Sequence, residues 1–264
     1  MCNSKLIVSA DMVKPIRTNG IAVITLIHEF GAYIKPRTKL TDVGLWSNML
    51  VFSSEVTRED IYENCKEISK VEFSILPQGK CKLVARNEKE DKERREHSYE
   101  GRNAKKLLSS LSKDNMLVLG AGEIQPRKGV DIFIAVAKQM KDICPQIKIK
   151  FAWIGSGYKP EEDFNVSLWL KDQIKRSGLE HDVMILNHSP EYKRLMKRAD
   201  LFLITSRLDP LPNVGIDAIF EKKPVLCFKK ACGLANILEK IQELREALIC
   251  DYYDINMMAQ KGAI

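Results

Sequence analysis

From Met116 to Cys250 the chain alternates short apolar runs with amphipathic stretches, and this rhythm limits the folds open to it more than any other feature. Residues 116–120, 148–154, 183–186, 201–205, 224–228 and 248–250 read as strands. Between them, 131–143 sets Phe133, Val136, Ala137, Met140 and Ile143 on one helical face, and Val166, Trp169, Leu170 and Ile174 mark another. Residues 192–199, 213–221 and 234–247 continue the series as helices. Unbroken apolar strands suit a parallel sheet buried on both faces, with right-handed crossovers laying helices over it. The expected class is α/β, with a nearly whole Rossmann-like domain over 115–264 that ends in a short tail.

The first 78 residues carry the same signals more sparsely. The run IAVITLI at 21–27 suits a buried parallel strand that delivers His28 and Glu29 into a loop. Residues 48–52 and 71–76 read as further strands, and 57–65 as a helix capped by Thr57. Residues 5–9 read as a strand at the very start, so the expectation is a partial N-terminal domain over 1–78 whose first half is absent. Residues 86–106 alternate acid and base with few large apolar side chains, which marks 79–114 as a solvated helix or linker between domains.

Composition narrows the function classes. A net charge of +7 over 264 residues is not gathered into a basic block with interleaved aromatics, which argues against nucleic acid and leaves a phosphate-bearing partner or an anionic membrane surface. Seven cysteines without a C-x-x-C pair read as reduced packing residues. There is neither an apolar run of about 20 residues nor an N-terminal signal pattern, so the expected location is the cytoplasm, with peripheral membrane attachment left open.

Four strand ends carry candidate chemistry. GAGEIQPRKG at 120–129 fails as a dinucleotide fingerprint, because its third glycine would fall at Gln125. What remains is Gly122 in a turn, then Arg127 and Lys128 before a helix, where two cations beside unpaired N–H groups favour an anion. WIGSG at 153–157 brings Gly155 to the next strand end, and His188 and Ser189 follow a third on the same edge. In DPLPNVGID at 209–217, Pro212 suits a helix start whose next N–H groups, on Asn213 and Val214, would point above the sheet edge. Asp209 precedes that helix and Asp217 lies one turn into it, so they flank a ligand rather than share a helical face. A carboxylate pair could instead bind metal or hydrolyse a glycoside. No D-x-D occurs, and a separate phosphate site fits polyol-plus-phosphate recognition better than hydrolysis.

In this order, RKG-x-D at 127–131, WIGSG at 153–157 and SRLDPLPNVGIDA at 206–218, the motifs resemble those of the retaining GT-B glycosyltransferases of group 1, family 4. IHEF and ILPQG, near 27–30 and 75–79, look like the end of that family's N-terminal domain. The resemblance implies a GT-B fold: a C-terminal domain binding a sugar nucleotide, a truncated N-terminal domain facing the acceptor, and catalysis in the cleft between them. It implies that Arg127 and Lys128 neutralise the diphosphate with Asn213 and Val214 N–H groups, that Asp209 holds donor-sugar hydroxyls and Asp217 the ribose, and that the His188 loop borders the base. His28 would sit near the donor sugar and acceptor. Transfer would go to a polysaccharide or glycolipid with retention, without metal or cofactor, the departing phosphate taking the acceptor proton.

The family's arginine after the loop glycine is Glu123 here, which shifts that role to Arg127 and Lys128. Two other readings stand beside this one. The chain is a catalytically inactive fragment or subunit that binds nucleotide or a partner chain supplying the missing half, or it is an epimerase or glycogen-type synthase on the same architecture.

Overall fold

A computed structural model describes residues 6–80, 99–187 and 191–263. Two parallel sheets organise them. Strands β1 (Ile24–Ile27), β2 (Met49–Phe52) and β3 (Glu72–Ile75) form the first, in that order. Strands β4 (Met116–Ala121), β5 (Ile149–Ile154), β6 (Val183–Leu186), β7 (Leu201–Ile204), β8 (Val225–Phe228) and β9 (Ile249–Cys250) form the second, in the order β6-β5-β4-β7-β8-β9. The order reverses between β4 and β7, and in open α/β sheets the carboxyl ends at such a switch point hold ligands.

The larger sheet is covered on both faces. One core joins Phe133, Phe151, Trp153, Leu203 and Phe228, the other Leu119, Ile154, Phe202, Ile204 and Cys227. Its helices are α4 (Tyr99–Ser110), α5 (Val130–Ile143), α6 (Val166–Arg176), α7 (Tyr192–Arg198), α8 (Asn213–Phe220), α9 (Gly233–Leu238), α10 (Gln242–Leu248) and α11 (Ile255–Gly262). Cys65, Cys144, Cys227, Cys232 and Cys250 are all buried and free. No helix among the described residues is long and apolar enough to cross a membrane.

Among the described residues, the smaller sheet is covered by helices on one face only. Helices α1 (Leu6–Thr18), α2 (Thr38–Trp46) and α3 (Glu55–Asn64) pack Val13, Leu40 and Ile61 against Ile27, Leu50 and Phe52. Side chains alternate across a strand, so Ile24 and Leu26 share the opposite face and stand 59% and 53% exposed.

Four expectations are corrected. Residues 6–9 begin α1 rather than a strand, because Leu6, Ile7 and Val8 belong to a longer run whose Ala10 and Val13 continue at helical spacing. The cap of α3 is Ser54, whose side chain accepts the Thr57 N–H three residues on, the reach an N-cap needs. The expected helix over 234–247 is two, because Ile241 takes an extended conformation between α9 and α10. The expected tail after β9 is α11, capped by Asp254, whose carboxylate accepts the Met257 N–H at 2.8 Å. Its Met258 and Ala259 join the core beside Met140.

At the start of β6, Asp182 pairs with Lys141 at 2.7 Å and Lys150 at 2.9 Å. Burial raises its pKa, and the two lysines together outweigh that and hold it below the ordinary carboxylate value. A depressed folded pKa stabilises above the unfolded value and is lost as pH falls through the folded one. Asp182→Asn is expected to cost about 1 kcal/mol at neutral pH, with the difference from the native chain shrinking below about pH 4 in urea titrations.

Candidate functional site

Parallel strands send their carboxyl ends the same way, and here the ends of both sheets open on one cleft. His28 and Glu29 follow β1, Ser53 follows β2 and Gln78 follows β3. Opposite them stand Arg127 after β4 and Asp209, Pro210, Leu211 and Asn213 after β7, enclosing about 210 Å³.

The charged centre of the cleft is built from two loops stitched together. Gly129 takes a left-handed φ of 69°, and a β-carbon there would meet the Thr205 carbonyl oxygen at 2.0 Å, so only glycine lets the loops approach this closely. The Thr205 hydroxyl donates to the Gly129 carbonyl at 2.8 Å, and the Arg207 N–H to the Arg127 carbonyl at 2.9 Å. Asp131 holds the Arg207 guanidinium through both oxygens, at 2.9 and 2.7 Å. The Asp131 side chain therefore fixes loop register instead of facing the cleft, and its hydrogen bond raises the Arg207 pKa against the effect of burial.

Within that frame Lys128 donates to Asp209 Oδ2 at 2.5 Å, and Arg127 lies 3.9 Å from Oδ1. Arg127 also donates to the Leu208 carbonyl at 3.0 Å and lies over the Tyr33 ring at 6.0 Å. Asp209 is only 4% exposed, and its backbone is held by the Ala231 carbonyl and the Gly233 N–H. Two cations against one carboxylate leave the cluster net positive, and a buried charge group of this kind interacts more strongly with a ligand than a solvated one.

Pro212 is the N-cap of α8 and supplies no side-chain cap. The first-turn N–H groups of Asn213 and Val214 have no carbonyl a turn earlier to accept them, and this is the setting in which helix starts bind anions.

Asp217 does not enter the cleft. It lies in the second turn of α8 and lines a neighbouring cavity of about 730 Å³ with Tyr192, Met196 and Ile216, and Asn213 borders both spaces. The Tyr192 hydroxyl reaches Asp217 at 3.4 Å. Burial first, then the Asp217 charge, pushes the Tyr192 phenol well up, so it stays a neutral donor. An apolar wall beside a fixed carboxylate suits a flat ring carrying vicinal hydroxyls.

The structure thus gathers His28, Arg127, Lys128, Asp209, Pro212, Asn213 and Val214 at one place and puts Asp217 next door. Gly122 and Gly155 support this edge: a β-carbon on Gly122 would press on Lys128, and Gly155 abuts the Gly122 carbonyl. Glu123 turns away, accepting from Gln125 at 2.7 Å. His188 and Ser189 lie outside the described residues. Among the described residues no three His, Cys, Asp or Glu side chains gather as metal ligands. Sequence reasoning missed Gln78 and Tyr192. Gln78 could have been found as the one long polar side chain in ILPQG, whereas Tyr192 reads simply as the first apolar position of its helix.

Residues 103–262, more than half of the chain, match the family model described as glycosyl transferases group 1. The chain belongs to the group 1 glycosyltransferases. Mannosylfructose-phosphate synthase of Agrobacterium fabrum is 24% identical over 143 residues, 53% of this glycosyltransferase and 30% of the relative. Anabaena HepE, solved with UDP and glucose, superposes with a TM-score of 0.70 at 19% identity, covering 98% of this chain and 65% of that one. A UDP-forming trehalose-phosphate synthase from Burkholderia xenovorans gives 0.70 at 11% identity, covering 96% and 62%. The fold is GT-B, and this glycosyltransferase spans less than two thirds of the length of each of these relatives.

Proposed function

We propose that the chain binds a nucleoside-diphosphate sugar and transfers the sugar to a hydroxyl of a polysaccharide or glycolipid with retention of configuration. One observation carries this reading: the Arg127, Lys128 and Asp209 cluster faces the uncapped start of α8, beside a second cavity that holds Asp217. The diphosphate lies against Arg127, Lys128 and the Asn213 and Val214 N–H groups. Asp209 accepts from donor-sugar hydroxyls, and Asp217 with Tyr192 takes the ribose.

As the glycosidic bond breaks, negative charge grows on the β-phosphate, where fixed cations and N–H groups stabilise it without reorganisation. The acceptor oxygen attacks from the side of the departing phosphate and that phosphate takes its proton, so protons balance and the anomeric configuration is kept. His28 borders the cleft near the acceptor. No metal or cofactor is assigned a role in this scheme. The acceptor class rests on the family resemblance.

Nucleoside diphosphates are expected to raise the melting temperature by several degrees in the presence of EDTA. Thermal shift with UDP, GDP and dTDP checks this, and no shift with any of the three rejects the proposal. Product anomers read by NMR from a sugar-nucleotide reaction check retention. Protection without transfer to any acceptor would instead support a nucleotide-binding subunit.

A further inference from the structure

The loop after β3 reaches across the cleft and holds the start of α8. Gln78 donates from Nε2 to the Leu211 carbonyl at 3.1 Å and to Asn213 Oδ1 at 2.5 Å. Two residues on, Lys80 lies 3.5 Å from Glu221, just past the other end of the same helix, and 5.4 Å from the Phe220 ring centre. One short segment of the smaller-sheet side therefore spans α8 from first residue to last, and Gly79 and Lys80 form part of the wall of the Asp217 cavity.

Besides Arg127 over the Tyr33 ring, two further hydrogen bonds join the same sides. The Ser54 hydroxyl donates to the Pro210 carbonyl at 2.7 Å, and the Val56 N–H to Asn236 Oδ1 at 3.1 Å. These fix loop and helix α9. Gln78 alone among the three brackets the uncapped start, holding Leu211 just before Pro212 and Asn213, the first helical residue. Pro212 has no side chain able to cap, so the direction of the Asn213 and Val214 N–H groups depends on what restrains Leu211 and Asn213 from outside. Both Gln78 bonds need an N–H donor, because both partners are oxygen acceptors.

We infer that Gln78 is a positioning residue: by its two donated hydrogen bonds the loop after β3 aims the first turn of α8 at the ligand anion. This rests on the proposed donor site for the ligand but not for the geometry. Without these two bonds Leu211 and Asn213 lose that restraint and the anion site loosens. The polar contact thus makes the N-terminal part of the chain a determinant of nucleotide affinity.

The test compares Gln78→Ala, Gln78→Glu, Asn213→Ala and the Gln78→Ala/Asn213→Ala pair with the native chain. Hydrogen exchange of the Leu211 and 213–216 amides is followed without ligand, and dissociation constants are taken for whichever of UDP, GDP and dTDP binds. Gln78→Ala is expected to speed exchange and weaken binding by about ten-fold each. Gln78→Glu keeps the volume but removes the donor, so it is expected to be at least as damaging, which a space-filling role would not produce. The double variant is expected to fall well short of the product of the single effects, because the two residues share one bond. Native-like exchange and affinity in Gln78→Glu, or multiplicative single effects, would overturn the inference. If the native chain binds none of the nucleotides, the donor-site reading fails by itself, and the exchange rates still decide the role of Gln78.

Discussion

Lys128→Ala is expected to abolish thermal protection by nucleoside diphosphate and to lower any transfer rate by roughly two to three orders of magnitude. The Lys128 ammonium is fixed on Asp209 beside the cleft, and in the proposed reading its removal takes away charge stabilisation that no solvent molecule can supply without reorganising. The same change strands Asp209. That carboxylate is 4% exposed and keeps Arg127 at 3.9 Å and the Ser206 hydroxyl at 3.4 Å, a neutral donor that cannot balance its charge. Breaking a buried pair from one side costs about 3 kcal/mol, so the variant should also unfold at lower urea. Adding Asp209→Asn removes the orphaned charge. The double variant is therefore expected to recover most of the stability and none of the nucleotide protection. Recovery of protection in the double variant would show that Lys128 serves only to neutralise Asp209.

Gly155→Ala is expected to be the most damaging single methyl in the molecule. Its β-carbon would sit 1.7 Å from the Gly122 carbonyl oxygen and 2.4 Å from the carbonyl carbon, both main-chain atoms. That carbonyl accepts the Trp153 indole N–H at 2.8 Å, and the Gly155 N–H donates to the Leu186 carbonyl at 2.9 Å, so neither strand end can move without breaking one of these hydrogen bonds. A loss of about 4 kcal/mol or more, or failure to accumulate as folded protein, is the expected outcome in urea melts and yield. Ser156→Ala, one residue on and exposed, should stay within about 0.5 kcal/mol of the native chain. Equal stability of the two variants would contradict the packing described at this edge.

What could be read in advance follows from range along the chain. The strands of the larger sheet are short unbroken apolar runs, and their class follows from local pattern alone. The loop residues after β4 and β7 were legible as types, cations before one helix and acids around another. Their pairing was not, since Lys128 and Asp209 are 81 positions apart and nothing local states that one ion-pairs with the other. Asp131 shows the opposite case: it belongs to the RKG-x-D signature and turns to Arg207, because a carboxylate in the first turn of α5 finds a guanidinium within reach across the loop. Gln78 and Tyr192 escaped because each acquires its role only from a partner brought up by the fold. Residues 6–9 misled because three consecutive apolar side chains fit a strand or the start of a helix equally well.

The one-sided covering of the smaller sheet sets an order of melting. Three four-residue strands with Ile24 and Leu26 facing water carry little cohesion of their own, and α3 leans on α9 through the Val56 contact with Asn236. On heating, this part is expected to be the first to lose structure, and each bond it makes to the start of α8 goes with it. The larger sheet, with a core on both faces, is then expected to outlast the cleft it shares with the smaller one, so the proposed ligand site goes while most of the secondary structure remains.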